Sequence, residues 1–126
     1  MTLICDAGAF VALERDDRVM WRRLKAELLA RRPPLTHGGV VAQVWRGGHG
    51  RQTVLARALA GVEVAALDDD LGRRAGLLLG RTGSRDAIDA ALVALAGDDD
   101  RIATSDATDI QRLIDGAGVH VDVLPA

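Results

Sequence analysis

Lysine is almost missing from this chain: Lys25 stands alone, and the remaining positive side chains are arginines. Arginine grips phosphate through a planar fork that lysine lacks, so a net charge of −2 still leaves room for a local anion-binding surface. Cysteine is limited to Cys5, within an apolar run. That excludes an internal disulfide and predicts a buried, inert thiol. No apolar run approaches the roughly 18 residues that would suggest a membrane span. The N-terminus lacks the basic start and long apolar stretch of a secretory leader, so a cytoplasmic protein is expected. There is no Ser/His/Asp order, P-loop or G-x-G-x-x-G pattern. His37, His49 and His120 lack metal-type spacing and read as solvated or core histidines.

What is present suits one globular domain spanning 1–126, with 48% hydrophobic and 27% charged residues. Short apolar runs predict strands at 2–5, 35–37, 62–66, 101–104 and 119–124. Helical spacing predicts helices after Asp6, over 17–30, 40–45, 51–59 and 68–79, from Ser84 through 96, and from 106 through 114. The segment Gly47-Gly48-His49-Gly50 breaks two of these helices apart. Helices alternating with short apolar strands imply an α/β fold with a parallel sheet covered on both faces.

The acids are the unusual feature. Asp6 follows Leu3-Ile4-Cys5, Asp106 follows Ile102-Ala103-Thr104-Ser105, and Asp89 sits inside Ala87-Ile88-Asp89-Ala90-Ala91-Leu92-Val93. A buried, unpaired carboxylate is costly, so such groups find a partner or take up a proton. In parallel α/β sheets ligands gather beyond the carboxyl ends of the strands, where Asp6 and Asp106 should project. Asp86 lies one helical step before Asp89, and Asp109 one step after Asp106. Like charges brought together there raise pKa values unless a cation is present. Mg²⁺, a hard cation that takes oxygen ligands, would account for several of these acids at once. Metal-assisted phosphodiester hydrolysis suits the cluster. Asp86, Asp106 and Asp109 also have a plain reading as helix caps and first-turn acids. Asp98-Asp99-Asp100 reads as a solvated loop, and Asp68 as an N-cap.

At these residues the chain resembles PIN-domain proteins, in particular the VapC toxins of bacterial toxin–antitoxin pairs. Leu3-Ile4-Cys5-Asp6-Ala7-Gly8-Ala9-Phe10 is similar to the family's first strand and first acid. Asp86 through Ala96 is similar to the helix bearing the third acid, here Asp89. Ile102-Ala103-Thr104-Ser105-Asp106-Ala107-Thr108-Asp109-Ile110 is similar to its Thr-x-Asp-x-Asp segment, with Asp106 as the fourth acid. The resemblance covers essentially the whole chain and implies a three-layer α/β/α PIN-like fold with a short central parallel sheet. It implies a Mg²⁺- or Mn²⁺-dependent endoribonuclease, restrained by a VapB-type antitoxin and dimeric. Asp6, Asp89 and Asp106 would be the metal ligands and catalytic acids, and Asp86 and Asp109 auxiliary. Arg46 would be a phosphate contact, with a structural ion pair as its plain alternative.

One position departs from the pattern. The family's second acid is usually a Glu in an Ala-Glu-Val-type helix, and here Val41-Ala42-Gln43-Val44 carries Gln43. Glutamine offers a carbonyl oxygen but neither charge nor basicity. Gln43 would then orient a water, and the consequences left open are weaker metal binding, a preference for Mn²⁺, or compensation by Asp86 or Asp109. The alternative function is a non-catalytic or weakly active PIN module that binds RNA or a protein partner. A receiver domain needs a lysine after a late strand, and only Pro125-Ala126 follows the last one. A haloacid-dehalogenase-type phosphatase needs an Asp where Gly8 stands. Arg22/Arg23, Arg31/Arg32 and Arg73/Arg74 are candidates for an RNA-binding rim, with solvated helix faces as the plainer reading.

Overall fold

The predicted strands are short, and the central ones are buried almost throughout, as strands covered on both faces must be. The computed structural model describes residues 1–47 and 50–126; Gly48 and His49, within the predicted break, lie outside the described residues. The elements run β1 (Leu3–Cys5), α1 (Ala7–Glu14), α2 (Arg18–Leu29), β2 (Leu35–His37), α3 (Gly38–Val44), α4 (Thr53–Ala60) and β3 (Glu63–Ala65). They continue with α5 (Asp69–Thr82), α6 (Ala87–Leu95), β4 (Arg101–Thr104), α7 (Ala107–Ala117) and β5 (Asp122–Pro125). The five strands form one parallel sheet in the order β3-β2-β1-β4-β5. Ile4 is central, in register with Leu35 on one side and Ile102 on the other.

This order reverses direction at β1. The first half winds outward from β1 through β2 to β3; the chain then crosses back to β4 and β5. Right-handed crossovers in opposite directions put their helices on opposite faces. Accordingly α1 packs with α2, α3 and α4, whereas α5, α6 and α7 pack on one another. The fold is the expected PIN-like α/β/α arrangement. Its switch point, where a crevice opens at the strand carboxyl ends, lies between β1 and β4.

Most boundaries fall within a few residues of the sequence reading. The last strand starts at Asp122 rather than Val119, because the His120 backbone is engaged with the preceding loop. Its carbonyl accepts from Asp99 N (2.8 Å) and its N–H donates to Asp98 (2.9 Å). Asp100 accepts from Thr2 N (2.8 Å) and Gly97 N (2.9 Å), so the Asp98–Asp100 loop is a structural clasp as well as a solvated turn. Helix α6 is capped by Asp86 rather than Ser84, whose hydroxyl accepts from Asp86 N (3.4 Å). Cys5 is buried, and burial pushes its thiol up to about 12, as an inert core residue requires.

One buried charge ties α2 to the sheet. Glu27 is 4% exposed and pairs with Arg101 at the start of β4 and with Arg32 (3.3 Å). Removing one partner of a buried pair costs most when the group left behind cannot reach water. The Arg101 side chain is partly exposed while Glu27 is enclosed. Arg101→Met should therefore cost about 3 kcal/mol in urea unfolding and Glu27→Met about 1 kcal/mol. Equal losses would show that the pair contributes packing alone.

Candidate metal centre

Helix capping positions the acids. An N-cap side chain accepts a hydrogen bond from the first helical turn and so holds a fixed direction. Asp6 Oδ1 accepts from Ala9 N (2.9 Å) to cap α1, Asp86 Oδ1 from Asp89 N (3.0 Å) to cap α6, and Asp106 Oδ1 from Asp109 N (3.4 Å) to cap α7. The caps of Asp86 and Asp106 use one carboxylate oxygen and leave the other for a second role. The helix N-terminus also favours negative charge at all three positions. Capping and ligand duty are thus compatible for Asp86 and Asp106.

Three carboxylates come closest. Oxygens of Asp86, Asp89 and Asp109 lie within 4.8 Å of one another; Asp86 is exposed and the other two are half-buried. Asp6, 5% exposed, and Asp106, exposed, lie outside that compact group. They remain within its field. The Asp89 carboxyl is pushed up to about 7, chiefly by burial, then by the charges of Asp86, Asp6, Asp109 and Asp106. Burial also raises Asp6, opposed by hydrogen bonds from the Thr104 hydroxyl and from backbone N–H groups of Ala9, Ser105 and Gly8. No arginine or lysine forms an ion pair with any of the five among the described residues. The local chemistry is an excess of oxygen donors and negative charge without a protein counter-charge. That fits a hard divalent cation such as Mg²⁺ or Mn²⁺.

Residues that the acids alone do not point to hold the arrangement together. Thr104, 1% exposed, accepts from Asp106 N at 2.9 Å and donates to the Asp6 carboxylate, joining the ends of β1 and β4. Gly8 lets α1 approach β4: a Cβ there would lie 2.1 Å from Ser105 Oγ and 2.5 Å from Ser105 Cβ. His37, fully buried, links α3 to α6. Its Nδ1 accepts from Gly39 N (3.0 Å), and its Nε2 donates to Ile88 O (2.9 Å), beside Asp89. Burial holds the imidazole pKa below its ordinary value, consistent with this neutral tautomer. A Cβ on Gly39 would lie 2.6 Å from Ile88 Cδ1, which can turn aside, but also 2.8 Å from Cε1 of the His37 ring, which both of its hydrogen bonds hold in place. The Thr-x-Asp segment contained Thr104 in plain sight; the His37 link joins residues 51 apart and left no local signal.

The two remaining site candidates face differently. Gln43 is exposed on α3, and its side chain makes no hydrogen bond among the described residues. Arg46 folds back, its Nη1 donating to Ala42 O (2.9 Å) and Trp45 O (2.8 Å), and so satisfies carbonyls at the end of α3.

No protein-family model matches the chain, and no curated protein matches it significantly. Among solved structures, a chain of VapBC2 from Rickettsia felis, determined bound to a DNA fragment from their promoter, is similar. The TM-score is 0.70 at 15% identity, covering 98% of this chain and 99% of that one. At this identity the likeness establishes a shared fold.

Two measurements test the electrostatics. The folded Asp89 pKa lies above its ordinary value, so its contribution to stability is fully present below about pH 4 and lost as pH rises through about 7. Metal-free Asp89→Asn should lack that decline and gain on the order of 1 kcal/mol over wild type at pH 8, after allowing for solvent screening. Parallel pH–melting curves for the two proteins would contradict it. Thr104→Val should weaken Mn²⁺ binding by about tenfold, one hydrogen bond's worth, while Thr104→Ser preserves it; calorimetric titration separates the two.

Proposed function

We propose that this chain is a divalent-metal-dependent endoribonuclease acting as the toxin of a VapBC-type toxin–antitoxin pair. The observation that supports the reading is the gathering of five aspartates without a protein counter-charge, three of them with oxygens within 4.8 Å of one another, with Asp89 pushed up to about 7 by burial first and by the other four charges second. A proton on Asp89 relieves that repulsion in the free protein, and a cation would relieve it better. Asp86, Asp89 and Asp109 offer the most compact set of oxygens, with Asp6 and Asp106 completing the ligand field. When bound, a hard cation lowers the pKa of water and neutralises charge on a leaving phosphate oxygen. The chain's own part is to fix the carboxylates through caps and Thr104 and to hold α6 in place through His37. Gln43 would orient water, and Arg46 would exchange its carbonyl partners for phosphate.

The solved neighbour comes from a VapBC2 complex on promoter DNA, which supports an antitoxin partner of the VapB kind here. No described helix is long and apolar enough to cross a membrane. A cytoplasmic homodimer belongs to the same reading. An arginine delivered by the antitoxin among the unpaired acids would compete with the metal, a physically direct form of inhibition.

Cleavage of total RNA by the purified protein is the test, with Mg²⁺, Mn²⁺ or EDTA. Discrete cuts should require metal and fall at least about 100-fold in Asp89→Asn, the scale of a lost catalytic group. Gln43→Glu should raise the Mg²⁺-supported rate if the missing charge limits metal binding. Equal cleavage by wild type and Asp89→Asn would count against the nuclease and favour a module that binds RNA without cutting it.

A further inference from the structure

The basic residues of this chain are not spread evenly. Arg73 and Arg74 pair with Asp69 and Asp70 on their own helix, Arg32 and Arg101 with Glu27, and Arg23 donates to the Pro125 carbonyl. A different set has no such engagement. Arg18, Arg22 and Lys25 repeat at i, i+4 and i+7 along α2 and therefore share one face. With Arg57 of α4 they line a cavity of about 650 Å³, against the single acid Asp16. None of these four cations forms an ion pair among the described residues. Trp21 also lines the cavity, and its indole N–H is committed to Leu13 O (3.0 Å), so it contributes ring surface rather than a donor.

Through the consecutive Asp16 and Asp17, the cavity neighbours a second one at the sheet's carboxyl edge. Asp17 lines that second cavity together with Gly8, Ser105 and Ala126, at the carboxyl ends of β1, β4 and β5. Helix α2 therefore starts at the edge where the acids collect, and it descends to the Glu27–Arg101 pair at the opposite end of β4.

We infer that the Arg18/Arg22/Lys25/Arg57 cavity binds the phosphate backbone of RNA and anchors it beside the acidic cluster. The inference rests on the ribonuclease reading for its ligand. Clustered arginines with few acids suit phosphate, whose oxygens match the guanidinium fork. An adjoining indole surface suits unpaired bases, which stack without sequence preference. The acidic centre repels RNA, so a separate cationic contact is needed to hold the strand within reach of it.

The test separates binding from cutting. Binding of a fluorescein-labelled, mixed-sequence single-stranded RNA is measured in EDTA on an Asp89→Asn background across a salt series. Arg18→Gln/Arg22→Gln should weaken binding about tenfold and flatten the log–log salt slope by roughly 1.4, since each phosphate contact on a single strand contributes about 0.7. Arg73→Gln/Arg74→Gln removes the same charge elsewhere and should leave the slope unchanged; thermal melting confirms that both variants fold. Equal losses in the two pairs, or no loss in the first, would overturn the inference. So would capture of a polyglutamate peptide at this cavity with RNA ignored, which would reassign it to an acidic protein segment. Cleavage by the otherwise wild-type protein, measured separately with Mn²⁺, keeps the two readings apart. Arg18/Arg22-dependent binding without cleavage keeps the cavity and removes the nuclease. Cleavage with the same RNA affinity in the Arg18/Arg22 variant does the reverse.

Discussion

The whole site depends on aspartates serving as helix caps at the carboxyl edge of a parallel sheet. A cap must point back into its helix, so its direction is set by backbone hydrogen bonds and survives the repulsion of neighbouring charges. Asp6, Asp86 and Asp106 are held this way, from three different helices. The strand order then brings those helix starts together, because the chain leaves β1 on one side and returns through β4 on the other. Without the caps, carboxylates this close would rotate apart into solvent. With them, the fold presents oxygen atoms at a spacing that electrostatics alone opposes.

That opposition is visible in Asp89. It is the one member of the compact group embedded in an apolar helix, with Ala90, Ala91, Leu92 and Val93 all buried beside it. Burial contributes most to its raised pKa and four neighbouring carboxylates add to it. The helix is tied in place, because His37, at the end of β2 in the central sheet, bonds Ile88 O, and Gly39 leaves room for that close approach. The strain is therefore resolved by what binds at the carboxylate rather than by movement of α6. A proton serves at low pH; on the proposed reading a divalent cation would serve where protons are scarce.

Much of this was legible from residues alone. Asp6, Asp89 and Asp106 stood out because apolar runs surround or precede them, and the alternation of strands and helices fixed which edge they would share. The relative standing of the acids was harder to read. Asp86 and Asp109 looked auxiliary, yet with Asp89 they form the tightest oxygen group. That outcome depends on how α6 and α7 approach each other, which a spacing of three residues on each helix does not specify. The arginines show the same limit. Adjacent pairs such as Arg73/Arg74 suggested a rim, but i,i+4 partners on α5 occupy them. The unpaired set combines one face of α2 with Arg57, a grouping that exists only after α4 has folded against α1.

The separation of charge in the folded chain has a mechanical logic. An acidic centre able to hold a cation must exclude the protein's own cations, since a neighbouring guanidinium would occupy the carboxylates. The same acids repel a polyanion. On the proposed reading, a fold that cuts RNA would have to keep its positive charge close but out of reach, and the start of α2 would do both. Asp17 caps that helix at the strand edge, while Arg18, Arg22 and Lys25 follow along a face turned toward α4. The one lysine of the chain, Lys25, is the member of this set furthest along α2 from Asp17. A flexible ammonium near the edge could swing into the acids, whereas an arginine's planar fork is better matched to phosphate held in one direction.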